Sequence, residues 1–381
     1  MYLAVYIGLT LGYLWYRFIL LFIADLRTTK NARGSYTGDL LSVLIPFYNE
    51  DVPLLQRTIS SVLAAAGNKE VIVIDDGSPN RAASQMVKQT FGDAVTLVRY
   101  EGNRGKRQAQ AAGYAHVNGT FLITVDSDTV IAPDALVRLV EPLCADPAVA
   151  ATTGNVRVLN VDENMLTRMI ASRYWNAFNI ERKSLSSFGV VTCCSGVLSA
   201  YRTSVTDTLL AQYIHQRFLG VECTYGDDRH LTNLVLREGH KVLYVEDAVC
   251  YTAAPTTLRT FIRQQLRWKK SFLRESVISL SFAFRHSLLL PIEVLLNLLI
   301  PFLSLGVRLS IIAGILVYPP LLLPFIASVI TVAVLRNFFL FFEDKKLALY
   351  SVPYAFIHEL ILFWLYFVAL FTLRERSWGT R

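Results

Sequence analysis

Cysteine is scarce and poorly placed for cross-linking. The five present (Cys144, Cys193, Cys194, Cys223 and Cys250) are odd in number and form no Cys-x-x-Cys pair. Neither a disulfide framework nor a zinc site is therefore indicated, and reduced thiols are expected. Charge is thin as well. Only 18% of the residues are Asp, Glu, Lys or Arg against 53% hydrophobic, which is too apolar for an ordinary soluble protein of 381 residues. No Lys/Arg run with interleaved aromatics occurs, so the net charge of +7 points to anionic substrates or a positive-inside membrane surface rather than to nucleic acid. There is no internal repeat or low-complexity segment, and nothing calls for an obligate protein partner.

The charged residues that do occur cluster in the first two thirds, which predicts one soluble domain attached to membrane helices. Residues 2–24 are apolar apart from Arg17, followed at once by Asp25, Arg27 and Lys30. About 20 apolar residues suffice to cross a bilayer as a helix. With no positive n-region and no small-residue cleavage site, 1–25 reads as a retained span, with its basic flank in the cytoplasm. Residues 26–40 read as a linker. From 41 to 270, apolar runs at 41–47, 70–74, 95–100 and 120–125 alternate with helical patterns at 51–66 and 108–117. That alternation implies a mainly parallel sheet with helices on both faces. Residues 271–286 read as an amphipathic helix in the membrane interface. The region 287–373 carries apolar stretches at 288–307, 309–335 (interrupted by Pro319-Pro320) and 352–373, with a polar loop at 343–346.

Three polar motifs fall at predicted strand ends, where parallel sheets gather ligands. They are Tyr48-Asn49-Glu50, Asp75-Asp76-Gly77-Ser78 and Asp126-Ser127-Asp128. The last places Asp126 and Asp128 on one side of an extended segment, suited to Mg²⁺ or Mn²⁺ bridging a diphosphate. Asp75 and Asp76 offer acceptors for a base N–H or a ribose hydroxyl, although Asp and Gly also simply favour turns. Tyr48 can stack on a base or pack under the sheet. Lys106 and Arg107 would neutralise a diphosphate, or form a solvated basic loop. Gly226-Asp227-Asp228-Arg229-His230 supplies Asp228 as a general base, with Asp227 orienting the loop or ligating; the same pair suits a helix N-terminus. Gln264, Arg267 and Trp268 share a helical face, Arg267 toward phosphate and Trp268 as a flat platform for a sugar. Cys193-Cys194-Ser195-Gly196 can line an acceptor site or merely pack.

The ordered set continues through Ser195-Gly196-Val197-Leu198, Leu231-Thr232-Asn233 and the ending Trp378-Gly379-Thr380-Arg381. As a whole it resembles the processive family 2 glycosyltransferases over nearly the full chain, and within them the class I hyaluronan synthases. The resemblance implies a GT-A-type α/β domain at 41–270 fused to transmembrane and interfacial helices. It implies transfer from UDP-GlcNAc and UDP-GlcA with Mg²⁺ or Mn²⁺, and a growing polysaccharide secreted through a channel at 287–373 in the plasma membrane. The catalytic domain is then cytoplasmic. Carried over by motif, Tyr48, Glu50, Asp75, Asp76, Lys106, Arg107, Cys194, Ser195 and Arg229 contact substrate. Asp126 and Asp128 hold the metal. Asp228, with Asp227, Gln264, Arg267 and Trp268, forms the catalytic set. Residues 374–381, with Trp378, Thr380 and Arg381, close over bound nucleotide, which requires a cytoplasmic C-terminus and hence one C-terminal stretch that does not cross. Val197 stands where the family usually has Pro, and the related chitin and chitooligosaccharide synthases, which use UDP-GlcNAc alone, share most motifs. A transport or scaffold protein with an inactive transferase domain is the alternative from another class; the intact Asp128, Asp228 and Trp268 argue against it.

Overall fold

The computed structural model describes residues 2–28 and 35–375. The strand β1 (Leu41–Phe47) is buried at every position, as is β4 (Phe121–Val125), and β2 (Lys69–Asp75) at its last five. Strands covered on both faces read as unbroken apolar runs rather than alternations. Helix α1 (Tyr2–Thr28) precedes them. Asp51 caps α2 (Val52–Ala64), its Oδ1 accepting from the Leu54 amide at 3.0 Å, and the helix buries Leu55, Ile59 and Val62 on one stripe. Then come α3 (Ala82–Phe91), β3 (Thr96–Arg99) and α4 (Lys106–Tyr114). These four strands run parallel, with Phe47 opposite Asp75 and Asp75 opposite Arg99. The loops carrying residues 48–50 and 76–78 therefore leave the sheet at the same edge.

The chain continues through β5 (Thr129–Ile131), α5 (Ala135–Ala145), β6 (Val149–Val158) and α6 (Met165–Asn176). A π-helical segment (Ala177–Arg182) and α7 (Lys183–Ser186) lead to β7 (Leu198–Arg202), α8 (Thr203–Ile214) and a two-stranded hairpin, β8 (Arg217–Phe218) and β9 (Val221–Glu222). Helix α9 (Asp227–Arg237) and β10 (Lys241–Thr252) complete the domain. The sheet has eight strands in the order β3-β2-β1-β4-β7-β6-β10-β5, mainly parallel, with β7 and β5 reversed. Because β7 runs against β4, with Leu198 opposite Val125, the loop entering β7 lies beside the loop leaving β4.

Helix α10 (Leu258–Leu280) differs from expectation. No separate helix begins at 271; the helix carrying Gln264 and Trp268 continues to Leu280 and is followed by the short α11 (Ala283–His286). Its polar residues turn inward, because the surface it meets is the polar face of α9. Glu275 is wholly buried and accepts from Gln216 Nε2 (2.5 Å), Asn233 Nδ2 (3.0 Å) and Arg274 Nε (3.1 Å), with His230 Nδ1 at 3.2 Å.

The remainder is α12 (Leu289–Val317), α13 (Leu322–Arg336), α14 (Phe338–Glu343), α15 (Lys345–Leu349), α16 (Ser351–Ile357) and α17 (Leu365–Phe371). Among the described residues, four helical stretches are long and apolar enough to cross a membrane: Tyr2–Leu26, Leu289–Val317, Pro319–Arg336 and Lys345–Phe371. The expected boundary at 307–309 is absent. Arg308 sits inside α12, held by Glu359 at 2.8 and 3.0 Å, and the chain turns instead at Tyr318-Pro319-Pro320. The expected loop at 343–346 is a tight junction in which Asp344 Oδ1 caps α15 through the Leu347 amide at 2.9 Å. Arg17 and Glu293, both buried, pair at 2.5 Å and tie α1 to α12. The last stretch and the residues just after it touch the α/β domain. Arg168 donates to the Tyr350 hydroxyl at 3.0 Å, and the Tyr225 hydroxyl donates to the Glu375 carbonyl at 3.2 Å.

Gly226 sets the approach of α10 to α9. Its φ is +78°, and a Cβ there would lie 2.1 Å from Ser271 Oγ. Gly226→Ala is expected to cost about 2–4 kcal/mol from strain and overpacking, seen as a lower thermal midpoint in detergent. Adding Ser271→Gly should recover part of the loss, and no recovery would remove the steric explanation.

Candidate active site

At the shared sheet edge, Asn49 adopts φ +53°, a left-handed conformation Asn tolerates better than most residues. Its amide donates to Ser78 Oγ at 2.8 Å. This joins the first two loops and leaves Glu50 reaching Ser127 Oγ, which donates to Glu50 Oε2 at 2.6 Å. Tyr48 is half-buried at the end of β1. Asp75 is wholly buried: Oδ1 accepts from the Ser78 amide at 2.8 Å, and Oδ2 takes Ser84 Oγ and, at 2.5 Å, Arg99 Nη1. Its carboxylate is committed to bracing the loop rather than to a ligand. Asp76 accepts from the Arg104 amide at 2.9 Å and the Gly105 amide at 2.8 Å, and burial raises its pKa. It thereby fixes the turn from which α4 starts.

That turn places Lys106 in the cleft. Its Nζ pairs with Asp126 Oδ1 and lies 3.8 Å from Asp227 Oδ2. Burial alone would lower its pKa, but Asp126 and Asp227 outweigh burial and raise it. Asp128 accepts from Thr252 Oγ1 at 3.2 Å; burial, then Asp126 and Glu50, push its pKa up to about 6. Clustered hard oxygen donors of one sign are a cation-binding arrangement. Among the described residues no three His, Cys, Asp or Glu side chains converge on one point. The two aspartates would thus supply part of a metal's shell, with room for phosphate oxygens, as suits Mg²⁺ or Mn²⁺.

The antiparallel β7 delivers residues 193–196 to the same place. A Cβ on Gly196 would stand 2.8 Å from Lys106 Nζ, so the glycine leaves this loop room beside the Lys106–Asp126 pair without displacing the lysine. Asp228, in the first turn of α9, accepts from the Arg229 amide at 2.7 Å and faces Cys193 Sγ at 3.7 Å. Burial and the neighbouring Asp227 raise its pKa. Arg229 packs on Phe272, 5.3 Å from the ring centroid, joining this turn to α10. On α10, Gln264 Oε1 is buried without a hydrogen-bond partner among the described residues, and Trp268 is 41% exposed with Tyr174 6.4 Å from its ring. Arg267 lies between them on the same helix.

Two expected substrate contacts point elsewhere. Arg107, one residue and about 100° of helix rotation beyond Lys106, is buried behind the cleft, where its guanidinium donates to Gln216 Oε1 (2.7 Å) and the Cys223 carbonyl (3.0 Å). Cys194 is wholly buried, its amide donating to Thr232 Oγ1 at 2.8 Å, and burial drives its thiol pKa upward; its neighbour Cys193 lines the cleft instead. The Ser195 amide is tied to Thr153 Oγ1 at 3.1 Å. Trp378, Thr380 and Arg381 lie outside the described residues. The supporting hub of Glu275 and His230 escaped sequence reading, although the polar run within α10 was its visible trace. Burial alone would raise the Glu275 pKa; His230 and Arg274 outweigh burial and hold it at about 2.

Arg107→Met should cost about 2–4 kcal/mol by stranding its buried acceptors, read as a lower thermal midpoint. The folded variant should bind nucleotide as the parent does, and loss of that binding would return Arg107 to the cleft.

Comparison with known proteins agrees with this geometry. Residues 38–271 match the sequence profile described as "Glycosyltransferase like family 2". Hyaluronan synthase from Streptococcus pyogenes is 34% identical over 349 residues, covering 90% of this chain and 83% of that protein. An N-acetylglucosaminyltransferase from Azorhizobium caulinodans is 33% identical over 90% of this chain and 87% of its own length. One from Mesorhizobium japonicum is 39% identical over 67% and 61%. Among solved structures, the mannosyltransferase PcManGT from Pyrobaculum calidifontis, in complex with GDP-Man and Mn²⁺, superposes with a TM-score of 0.67 at 21% identity, covering 94% of this chain and 99% of that one; this likeness fixes the GT-A fold. With a GT-A domain, a cleft built from its motif residues and helices able to span a bilayer, the chain belongs to glycosyltransferase family 2, as a hyaluronan synthase-like membrane member.

Proposed function

We propose that this protein is a processive hyaluronan synthase that alternately transfers GlcNAc and GlcA from their UDP-sugars to a growing polysaccharide and exports it. The observation that carries this reading is the meeting of Asp228, the Lys106–Asp126 pair and Asp128 in one cleft, in a chain similar to a hyaluronan synthase over 90% of its length. Asp228 accepts the proton of the acceptor hydroxyl as it attacks the anomeric carbon with inversion. Trp268 holds the acceptor sugar by stacking, keeping that hydroxyl within reach. Lys106 and Arg267 face the negative charge of the departing diphosphate. Asp126 and Asp128 would hold the divalent cation, as the Mn²⁺ complex of the structurally similar mannosyltransferase suggests; bound there, it offsets charge on the leaving nucleotide.

The same reading puts the catalytic domain in the cytoplasm and treats Lys345–Phe371 as a stretch that enters and returns. Its contacts at Tyr350 and Glu375 support this. Lys270 Nζ also pairs with Glu375, so the chain enters its last residues beside the Gly226-Asp227-Asp228 turn. The N-acetylglucosaminyltransferase relatives favour a second reading, a chitin-type synthase using UDP-GlcNAc alone.

Purified protein in detergent with Mn²⁺ separates the two. Polymer that is sensitive to a hyaluronan lyase and forms only with both donors is the expected result. Lyase-resistant polymer from UDP-GlcNAc alone would establish the second reading. Asp228→Asn should lower polymer synthesis by about 100-fold or more while UDP still binds; retained synthesis would remove Asp228 as base. Because its pKa is raised and the ionised form is the active one, the rate should fall as pH drops through a value above the ordinary 3.9 or so of Asp. An acidic limb at or below that ordinary value would contradict the assignment.

A further inference from the structure

Next to Trp268 lies a group of cations that the protein leaves under-compensated. Lys269 is 9% exposed, and its Nζ sits over the Tyr366 ring, 3.6 Å from the centroid. Among the described residues it has neither a carboxylate within 4.0 Å nor a hydrogen-bond acceptor, whereas Lys270, one position on, pairs with Glu375. On α6, Arg173 gives one nitrogen to Glu181 at 3.1 Å and also interacts with Tyr354, while its Nη1 is buried with no hydrogen-bond partner among the described residues. The same Glu181 carboxylate also serves Arg336 at 2.7 Å. Tyr354 and His358 of the last stretch face this group as well. Arg173 and Arg336 thus share one carboxylate, and Lys269 contacts none among the described residues. Tyr174, the next residue on α6, packs against Trp268, which brings the helix carrying Arg173 up to the proposed acceptor platform.

A buried amine without a counter-ion is costly, and apolar residues of the same size would fill the space more stably. Burial, with the Arg173 charge adding to it, depresses the Lys269 pKa to about 7. The contact with the Tyr366 ring is a weaker compensation than a charge-assisted hydrogen bond to a carboxylate. A neutral sugar polymer brings hydroxyls but no charge; a uronic acid brings a carboxylate matched to an amine and a guanidinium. We propose that Lys269 and Arg173 form a subsite beside Trp268 that binds the carboxylate of a uronic-acid residue in the acceptor chain, and so favours an anionic polymer over a neutral one. The proposal rests on Trp268 being the acceptor platform and deepens the hyaluronan reading.

Its test is the binding of hyaluronan tetrasaccharide and of chitotetraose to the full chain in detergent, followed by tryptophan fluorescence, for the parent, Lys269→Met and Lys269→Arg. Methionine suits a buried site and arginine keeps the charge, so at least one variant reports even if the other misfolds. The parent should prefer the hyaluronan fragment by about tenfold. Lys269→Met should bring the ratio close to one, and Lys269→Arg should preserve it. A preference that persists in Lys269→Met, or is lost in Lys269→Arg while persisting in Lys269→Met, overturns the subsite. If the parent still makes lyase-sensitive polymer in that case, the hyaluronan reading stands alone. A parent that binds chitotetraose at least as tightly and polymerises UDP-GlcNAc alone removes both.

Discussion

Bringing Glu50, Asp126, Asp128, Asp227 and Asp228 to one sheet edge would be prohibitive without a cation among them, since like charges in a poorly solvated cleft repel strongly. Lys106 is that cation within the chain, in contact with Asp126 and near Asp227. Much of the local architecture exists to hold it there. Asp76 pins the turn before α4 by two backbone amides, and Asp75 braces the preceding loop through Ser84 and Arg99. Gly196 leaves the space that the ammonium group occupies. Burial first, and then the neighbouring carboxylates, raise the pKa values of Asp128 and Asp228; the proposed chemistry uses Asp128, with Asp126, toward a metal and Asp228 toward a proton.

The second organising element is α10. At one end it presents Gln264 and Trp268 to the acceptor side; further along, Glu275 is the buried hub that gathers Gln216, His230, Asn233 and Arg274. Gln216 in turn holds Arg107 from α4. The helices that carry Asp228, Lys106 and Trp268 are therefore locked through one polar knot behind the cleft. A hub of this kind is unforgiving, because each partner removed strands another buried polar group.

The fold was largely legible because its signal is local. Unbroken apolar runs marked β1, β2 and β4, and the acidic motifs marked where those strands stop. What could not be read depends on phase and on distant partners. Lys106 and Arg107 look alike in sequence, and the φ/ψ of Gly105 decides which enters the cleft; the same holds for Cys193 and Cys194 at the entrance to β7. The polar stripe on α10 suggested a face toward lipid headgroups because its partner, α9, lies some 40 positions away. Arg308 suggested a helix end because an arginine in an apolar run is expensive, but Glu359, 51 residues later, compensates it in place. Pairings across such separations leave no periodic trace.

The continuity of α10 has a mechanical consequence. An α-helix rises about 1.5 Å per residue and bends little over a few turns, so Trp268 and the residues that anchor the Asp228 turn form two marks on a single ruler. A polymer that advances after each transfer changes its own position relative to these marks without changing the distance between them. On the proposed reading, registration of the next acceptor hydroxyl with Asp228 would be governed by where the sugar comes to rest on Trp268, and not by any re-docking of one domain against another.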